Sequence, residues 1–197
     1  MVDAITTVAP IAPIRSLDKL LGHYASGPGV SLVPVPARPK VSLHGHPDAT
    51  AAIGDALGIV LPTRPKTAAE NETLAALWLG PEDWLLIGAS EDPADAAALI
   101  AAVEAAPTQD KSAVDVSDRF VAVAVEGPAA EAVLMASCPQ DLRLRSFPVG
   151  AVSRSLFQKI DVIIWRRSET GFEIYCGRSF ADYLWALLVE AARSPAV

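Results

Sequence analysis

The sequence predicts an α+β protein in which two strand–helix–hairpin–helix units share one core. Three observations predict this fold: the same order of elements occurs twice, Gly and Pro separate the elements at matching places, and apolar residues make up 51% of the 197 residues. Each unit has too few strands to cover its own helices, so we expect a shared core. We therefore predict an arm over residues 1–40 and a single domain over residues 41–197, with repeats at 41–110 and 111–197.

Prolines dominate the first forty residues and predict an extended arm. Proline fixes φ and removes a backbone donor, so this segment cannot be mostly helix or central strand. Within it, residues 14–21 favour a short helix, and residues 30–35 favour a strand at a sheet edge, where proline is tolerated. Because the arm is rich in Val, Leu and Pro, we expect it to pack on its own domain or on another chain.

The first repeat combines an alternating strand, two helices and a hairpin. Gly58 favours a C-cap for the first helix, and a polar loop is expected around residues 66–73. The predicted elements are, in order, a strand over Val41–Gly45, a helix over Pro47–Leu57, a hairpin of Leu74–Leu79 with Trp84–Ile87, and a helix from Asp92 and Pro93 to Pro107.

The second repeat follows the same order. Phe180 begins the expected buried stripe of the last helix. The predicted elements are a strand over Arg119–Glu126, a helix from Gly127 to Ser137, a strand over Ala151–Phe157, a hairpin of Ile160–Arg166 with Phe172–Cys176, and a helix to about Ala192.

Charge and hydropathy restrict the function classes. The net charge of −7 opposes a phosphate backbone, so we expect no nucleic-acid partner. No apolar run reaches the roughly 18 residues of a spanning helix, and the N-terminal residues lack the features of a signal peptide, so we expect no membrane association and a cytoplasmic location. In a reducing compartment, Cys138 and Cys176 are expected to be free, buried thiols.

No motif in the sequence assigns a catalytic, cofactor-binding or metal-binding residue. His44 and His46 have a spacing that could begin a metal site, but no third ligand accompanies them, and solvated loop histidines are the simpler interpretation. Asp115, Asp118 and Arg119 form the candidate polar cluster, because two carboxylates and an arginine precede one strand. A salt-bridged strand cap is the alternative to acid–base chemistry there.

The four tryptophans indicate core packing or an interface. They lie in the predicted hairpins and on the last helix, and tryptophan is enriched in both settings because it buries a large area at low entropic cost. We predict that Trp84 or Trp185, or apolar residues of the arm, contribute to a subunit interface.

Four blocks of sequence carry a resemblance to a known family. They are Leu77–Leu86 (LWLGPEDWLL), Val114–Phe120 (VDVSDRF), Cys138–Leu142 (CPQDL) with Phe147–Gly150 (FPVG), and Arg178–Trp185 (RSFADYLW). In these blocks the sequence resembles the γ subunit of bacterial heterotetrameric sarcosine oxidase. The resemblance covers residues 41–192, and the proline-rich arm adds little to it.

The resemblance implies a non-catalytic subunit of a complex that oxidises sarcosine to glycine. The other products are hydrogen peroxide and formaldehyde or methylenetetrahydrofolate. The implied partners are α, β and δ subunits, which carry FAD, FMN, NAD, zinc and tetrahydrofolate, whereas no cofactor is implied in this chain. The implied fold is similar to the folate-binding domain of glycine-cleavage aminomethyltransferases. A stand-alone folate-binding or aminomethyltransferase-like protein and a non-enzymatic interaction module are the alternatives, and homo-oligomers of the isolated chain are left open.

Overall fold

A computed structural model describes residues 25–92, 94–193 and 195 of the chain. The helix predicted over residues 14–21 and the predicted helix start at Pro93 lie outside these residues. The strands and helices are β1 Ala25–Gly27, β2 Val30–Val35, β3 Lys40–Gly45, α1 Thr50–Leu57, β4 Ala68–Glu70, β5 Leu74–Gly80, β6 Asp83–Gly88, α2 Ala94–Ala105, β7 Lys111–Asp115, β8 Phe120–Glu126, α3 Ala130–Met135, β9 Val152–Phe157, β10 Ile160–Ser168, β11 Gly171–Gly177 and α4 Ala181–Arg193.

The strands form two antiparallel sheets. One has six strands in the order β1-β2-β8-β11-β10-β9, and the other has five in the order β4-β5-β6-β3-β7. After β3 the chain forms α1, β4, β5, β6 and α2, and after β8 it forms α3, β9, β10, β11 and α4. The strands β4, β5 and β6 therefore correspond to β9, β10 and β11. The predicted α+β fold with duplicated units is confirmed.

The two halves of the sequence exchange strands, and the strand from the first half, β2, lies within the segment predicted as the arm. β2 precedes β3 along the chain but pairs with β8, where Val33 lies opposite Ala124. β7 precedes β8 but pairs with β3, where Val114 lies opposite Ser42. The six-stranded sheet is therefore completed by β1 and β2 from the first half of the sequence, and the five-stranded sheet by β7 from the second half. These pairings make the two repeats depend on each other for their hydrogen bonds.

The buried apolar residues form three clusters between four layers. The two sheets are the inner layers, and the helices form the two outer layers. One cluster packs the six-stranded sheet against α3 and α4, and a second packs the five-stranded sheet against α1 and α2. The third lies between the sheets and joins Leu77 and Leu85 to Ile163, Trp165 and Tyr175. Successive side chains of a strand point to opposite faces of the sheet, and apolar residues occur at both sets of positions. Each sheet is therefore apolar on both sides.

Both predicted hairpins are present, but several predicted details are wrong. β4 lies within the stretch predicted as a polar loop, and β7 was not predicted at all. α3 ends at Met135, short of the expected Ser137. β2 is not an edge strand, because β1 pairs with Val30–Leu32. Pro34 is tolerated in β2 because it lies beyond the residues that β1 reaches.

Gly127 shows why the second repeat needs a glycine before its first helix. Its φ is +120°, and a Cβ atom there would lie 2.4 Å from the carbonyl oxygen of Gly29. The same carbonyl accepts a hydrogen bond from the backbone N–H of Ala129 at 2.9 Å. A side chain at position 127 would therefore separate the turn before β2 from the start of α3.

None of the helices in the described segments is both long and apolar enough to cross a lipid bilayer.

Candidate functional site

The two histidines whose spacing was weighed as the start of a metal site make local surface contacts. His44 lies 3.2 Å from the Asp83 carboxylate and 3.5 Å from that of Glu82. His46 accepts a hydrogen bond from the backbone N–H of Asp48 at 3.3 Å, at the turn that leads into α1. Among residues 25–92, 94–193 and 195, no group of three or more His, Cys, Asp or Glu side chains is arranged to hold a metal ion.

Both cysteines are buried and free, as the sequence predicted. The Sγ atom of Cys138 lies 3.3 Å from the Oγ atom of Ser155. Burial raises the pKa of Cys176 to about 12, so this thiol stays protonated at neutral pH. Because the thiolate is the reactive form of cysteine, Cys176 is a core residue and not a nucleophile.

The structure divides the predicted polar cluster between two roles. Asp115 accepts hydrogen bonds from the backbone N–H of Ser117 at 2.9 Å and from its hydroxyl at 2.6 Å. Ser117 Oγ in turn accepts a hydrogen bond from the backbone N–H of Lys40 at 2.9 Å, so Asp115 stabilises the turn between β7 and β8. Asp118 and Arg119, in contrast, line an open groove.

We call this feature the arginine groove. It consists of two adjoining hollows of about 440 Å³ and about 320 Å³, which share Arg119, Phe120 and Asp161. Asp118, Arg178 and Phe180 also line the first hollow, and Arg154 borders the second. Phe180 is 47% exposed, which corrects the prediction that it begins the buried stripe of the last helix. Within α4 that stripe begins at Ala181 and Leu184 instead.

The two candidate interface tryptophans have different environments. Trp84 is only 1% exposed, and its Nε1–H donates a hydrogen bond to the carbonyl oxygen of Pro62 at 2.7 Å. It packs in the core between the five-stranded sheet and its helices, so the interface prediction is wrong for Trp84. Trp185 is partly buried against the core below α4, and its interface role stays a prediction.

Sequence reasoning missed a network of charged side chains at one end of the layer between the sheets. Arg38 donates a hydrogen bond to Glu173 at 2.7 Å and another to the Tyr175 hydroxyl at 3.1 Å, and Tyr175 donates to Glu173. Arg167 lies 3.5 Å from Glu173 and 2.5 Å from Glu70 on β4. Burial raises the pKa of Tyr175 well above its usual value, helped by the charge on Glu173. The network joins the two sheets electrostatically.

A second missed residue is Arg166, which is completely buried on the helix side of the six-stranded sheet. Its guanidinium lies 4.3 Å from the centre of the Phe172 ring, donates to the carbonyl oxygens of Leu142 and Glu169, and pairs with Glu131 at 2.9 Å. It holds together α3, the loop after α3 and the last hairpin turn. The burial of Arg166 could have been predicted from the strand pattern. Alternate residues of a strand lie on the same face, and positions 162 and 164 face the helices.

A further open hollow, of about 610 Å³, lies beside α1. Mostly small and apolar residues line it, with Asp55 as its charged member. Such a lining provides few polar groups to fix the orientation of a bound molecule.

The fold places the chain in a known class. It is similar to the aminomethyltransferase T of the glycine cleavage system from Bartonella henselae, with a TM-score of 0.61 and 21% identity over 82% of this chain and 45% of that one. At this identity the likeness concerns the fold alone, so the chain is an α+β protein with the aminomethyltransferase-type fold.

The particular family follows from closer matches. Residues 44–194 match the model of the family described as "Sarcosine oxidase, gamma subunit family", and the chain belongs to this family. It is 31% identical to the sarcosine oxidase subunit gamma of Corynebacterium sp. strain P-1, over 91% of this chain and 88% of that protein. It is 34% identical to the same subunit of strain U-96, over 82% and 78%.

A solved structure agrees with these matches. The chain is similar to a chain of the heterotetrameric sarcosine oxidase from Corynebacterium sp. U-96, with a TM-score of 0.81 and 28% identity. The match covers 91% of this chain and 94% of that one. The predicted resemblance to the γ subunit family is confirmed.

Proposed function

We propose that this chain is the γ subunit of a heterotetrameric sarcosine oxidase and assembles with α, β and δ subunits in the cytoplasm. The complex would oxidise sarcosine to glycine, with hydrogen peroxide and either formaldehyde or methylenetetrahydrofolate as the other products. FAD, FMN, NAD, zinc and tetrahydrofolate would be carried by the partner subunits.

One observation carries the proposal. The similarity to a chain of heterotetrameric sarcosine oxidase extends over 91% of this chain and 94% of that one. A match over nearly the full length of both chains is expected when the two chains are corresponding subunits. If the two proteins shared only one domain of a larger enzyme, much of the longer chain would be unmatched. The aminomethyltransferase match is of that second kind, because it covers 45% of the longer chain.

The environments of the reactive residues support a non-catalytic role for the chain within the complex. The carboxylate of Asp115 accepts hydrogen bonds within a turn, and the Cys176 thiol is held protonated in the core. These groups therefore serve the fold. Substrate chemistry is accordingly assigned to the partner subunits in this proposal.

Co-purification of the tagged chain from its native cell tests the assembly. We expect a yellow complex with flavin absorbance and three other chains, which form hydrogen peroxide when sarcosine is added. A colourless single species would contradict the proposal. The purified chain alone is expected neither to oxidise sarcosine nor to bind tetrahydrofolate tightly by calorimetry, and either activity would assign it a catalytic or folate-binding role instead.

A further inference from the structure

The floor of the arginine groove is aromatic. Phe120 and Gly177 lie opposite each other where β8 pairs with β11. A Cβ atom at Gly177 would lie 3.7 Å from the Phe180 ring, so this ring lies within van der Waals range of the C-terminal end of β11. The guanidinium of Arg119 lies 5.2 Å from the centre of the Phe120 ring, within the range of a cation–π contact.

Exposed apolar side chains also lie next to residues that line the groove. Leu156 is 45% exposed and lies opposite Asp161 where β9 pairs with β10. Tyr183 is 43% exposed and lies one helical turn beyond Phe180, which is itself 47% exposed. Phe180 is therefore the large exposed apolar side chain of the groove lining itself, and Leu156 and Tyr183 are exposed neighbours of lining residues. Aromatic residues and arginine are the residue types enriched at the centres of protein interfaces.

The charges of the groove differ from those of the whole chain. Arg119, Arg154 and Arg178 face Asp118 and Asp161, which leaves one excess positive charge in a chain whose net charge is −7. Asp118 and Arg178 already have interaction partners within the chain. The side chains of Arg119 and Arg154 are exposed, and arginine binds carboxylates through paired N–H donors.

We propose that the arginine groove is the docking site for a segment of a partner subunit that presents a carboxylate beside an aromatic or aliphatic side chain. The carboxylate binds Arg119 and Arg154, and the apolar side chain packs on Phe120 and Phe180. This inference rests on the proposed function, because it assumes that the chain assembles with other subunits. It adds which face of the chain they contact and what chemistry they bring.

A second copy of this chain fits the groove less well. In a symmetric dimer the same surface meets itself, so the excess of arginine in one groove would face the same excess in the other. A partner with the opposite charge has no such penalty.

Two charge-matched double variants test the docking site, each co-expressed as tagged full-length chain with the partner subunits. The groove variant carries Arg119→Glu and Phe180→Asp. The control carries Arg64→Glu and Val60→Asp in the loop between α1 and β4, where Val60 is 86% exposed and Arg64 is also exposed. We expect the control to retain its partners and the groove variant to bind them about 30-fold more weakly or worse.

Circular dichroism and the thermal midpoint of each isolated chain establish whether the variants fold. If the groove double variant unfolds, Arg154→Glu alone replaces it, because this exposed side chain borders the second hollow. The chemistry of the partner is tested by comparing Arg119→Lys with Arg119→Glu. An acidic partner predicts that the glutamate variant binds at least about tenfold more weakly than the lysine variant.

The outcomes separate the two proposals. If the wild-type chain brings down no other subunit, the proposed function is wrong and the docking site falls with it. If the wild-type chain and a folded groove variant bring down the partners equally well, the chain is still a subunit but the groove is not the docking site. Equal binding by Arg119→Lys and Arg119→Glu would overturn the acidic partner.

Discussion

Arg166 and Glu131 form an ion pair, with 2.9 Å between Nη2 and Oε2, that joins the end of β10 to the first turn of α3. The arginine is completely buried, whereas the glutamate side chain is 33% exposed. A buried guanidinium is costly unless its donors have acceptors. The Nη atoms of Arg166 donate to this carboxylate and to two backbone carbonyls, whereas its Nε–H has no hydrogen-bond partner. The pair is therefore a structural centre of the second repeat.

The first prediction concerns this pair. Arg166→Met keeps the apolar part of the side chain but leaves the Leu142 and Glu169 carbonyls without their donor. We expect the free energy of unfolding to fall by about 3 kcal/mol, measured by chemical denaturation. Arg193→Met is the control, because its pair with Glu190 is more than two thirds exposed and should contribute less than about 1 kcal/mol. Equal effects of the two substitutions would show that Arg166 has no special structural role.

The second prediction concerns the turn before α3. Gly127→Ala would place a Cβ atom 2.4 Å from the Gly29 carbonyl oxygen, so we expect it to destabilise the chain by roughly 3 kcal/mol. Gly150→Ala is the matched control, because Gly150 also has a positive φ of +83° but no atom within 4 Å of the added Cβ. That variant should cost about 1 kcal/mol. The same thermal midpoint for both variants would refute the steric argument.

The third prediction concerns alkaline pH and Cys176. Burial raises the pKa of this thiol from 9.0 to about 12, so the folded chain keeps a proton that the unfolded chain releases. The contribution of Cys176 to stability is complete below about pH 9 and is lost as the pH rises from there towards 12. Cys176→Ala should therefore flatten the decline in unfolding free energy between these pH values. The cost of the cavity does not depend on pH, so an unchanged slope would contradict the assignment.

The sequence predicted those elements that are defined by neighbouring residues, such as an alternating run followed directly by a turn. The hairpin of β5 and β6 was recognisable because Gly80 and Pro81 interrupt two apolar runs. β7 was not, because most of its residues are exposed or only half-buried and its strand conformation depends on pairing with β3. The exchange of β2 and β7 between the sheets is likewise non-local and leaves no periodic signal.

The same distinction applies to the candidate site. Asp118 and Arg119 were found because charged residues cluster in sequence, but Arg154, Asp161 and Phe180 join them only through the pairing of distant strands. Trp84 was placed at an interface because tryptophan is common there, yet composition does not distinguish an interface from a core. Trp84 and Leu86 are two residues apart in β6 and therefore lie on the same face of the sheet, against the same helices. This spacing could have placed Trp84 in the core.

The central claim is that this chain acts as one subunit of a four-chain oxidase. Native mass spectrometry of the complex purified through a tag on this chain tests it most directly. We predict one species whose mass equals the sum of this chain, three different partner chains and their bound cofactors. A spectrum that contained only this chain, as a monomer or as homo-oligomers, would contradict the claim.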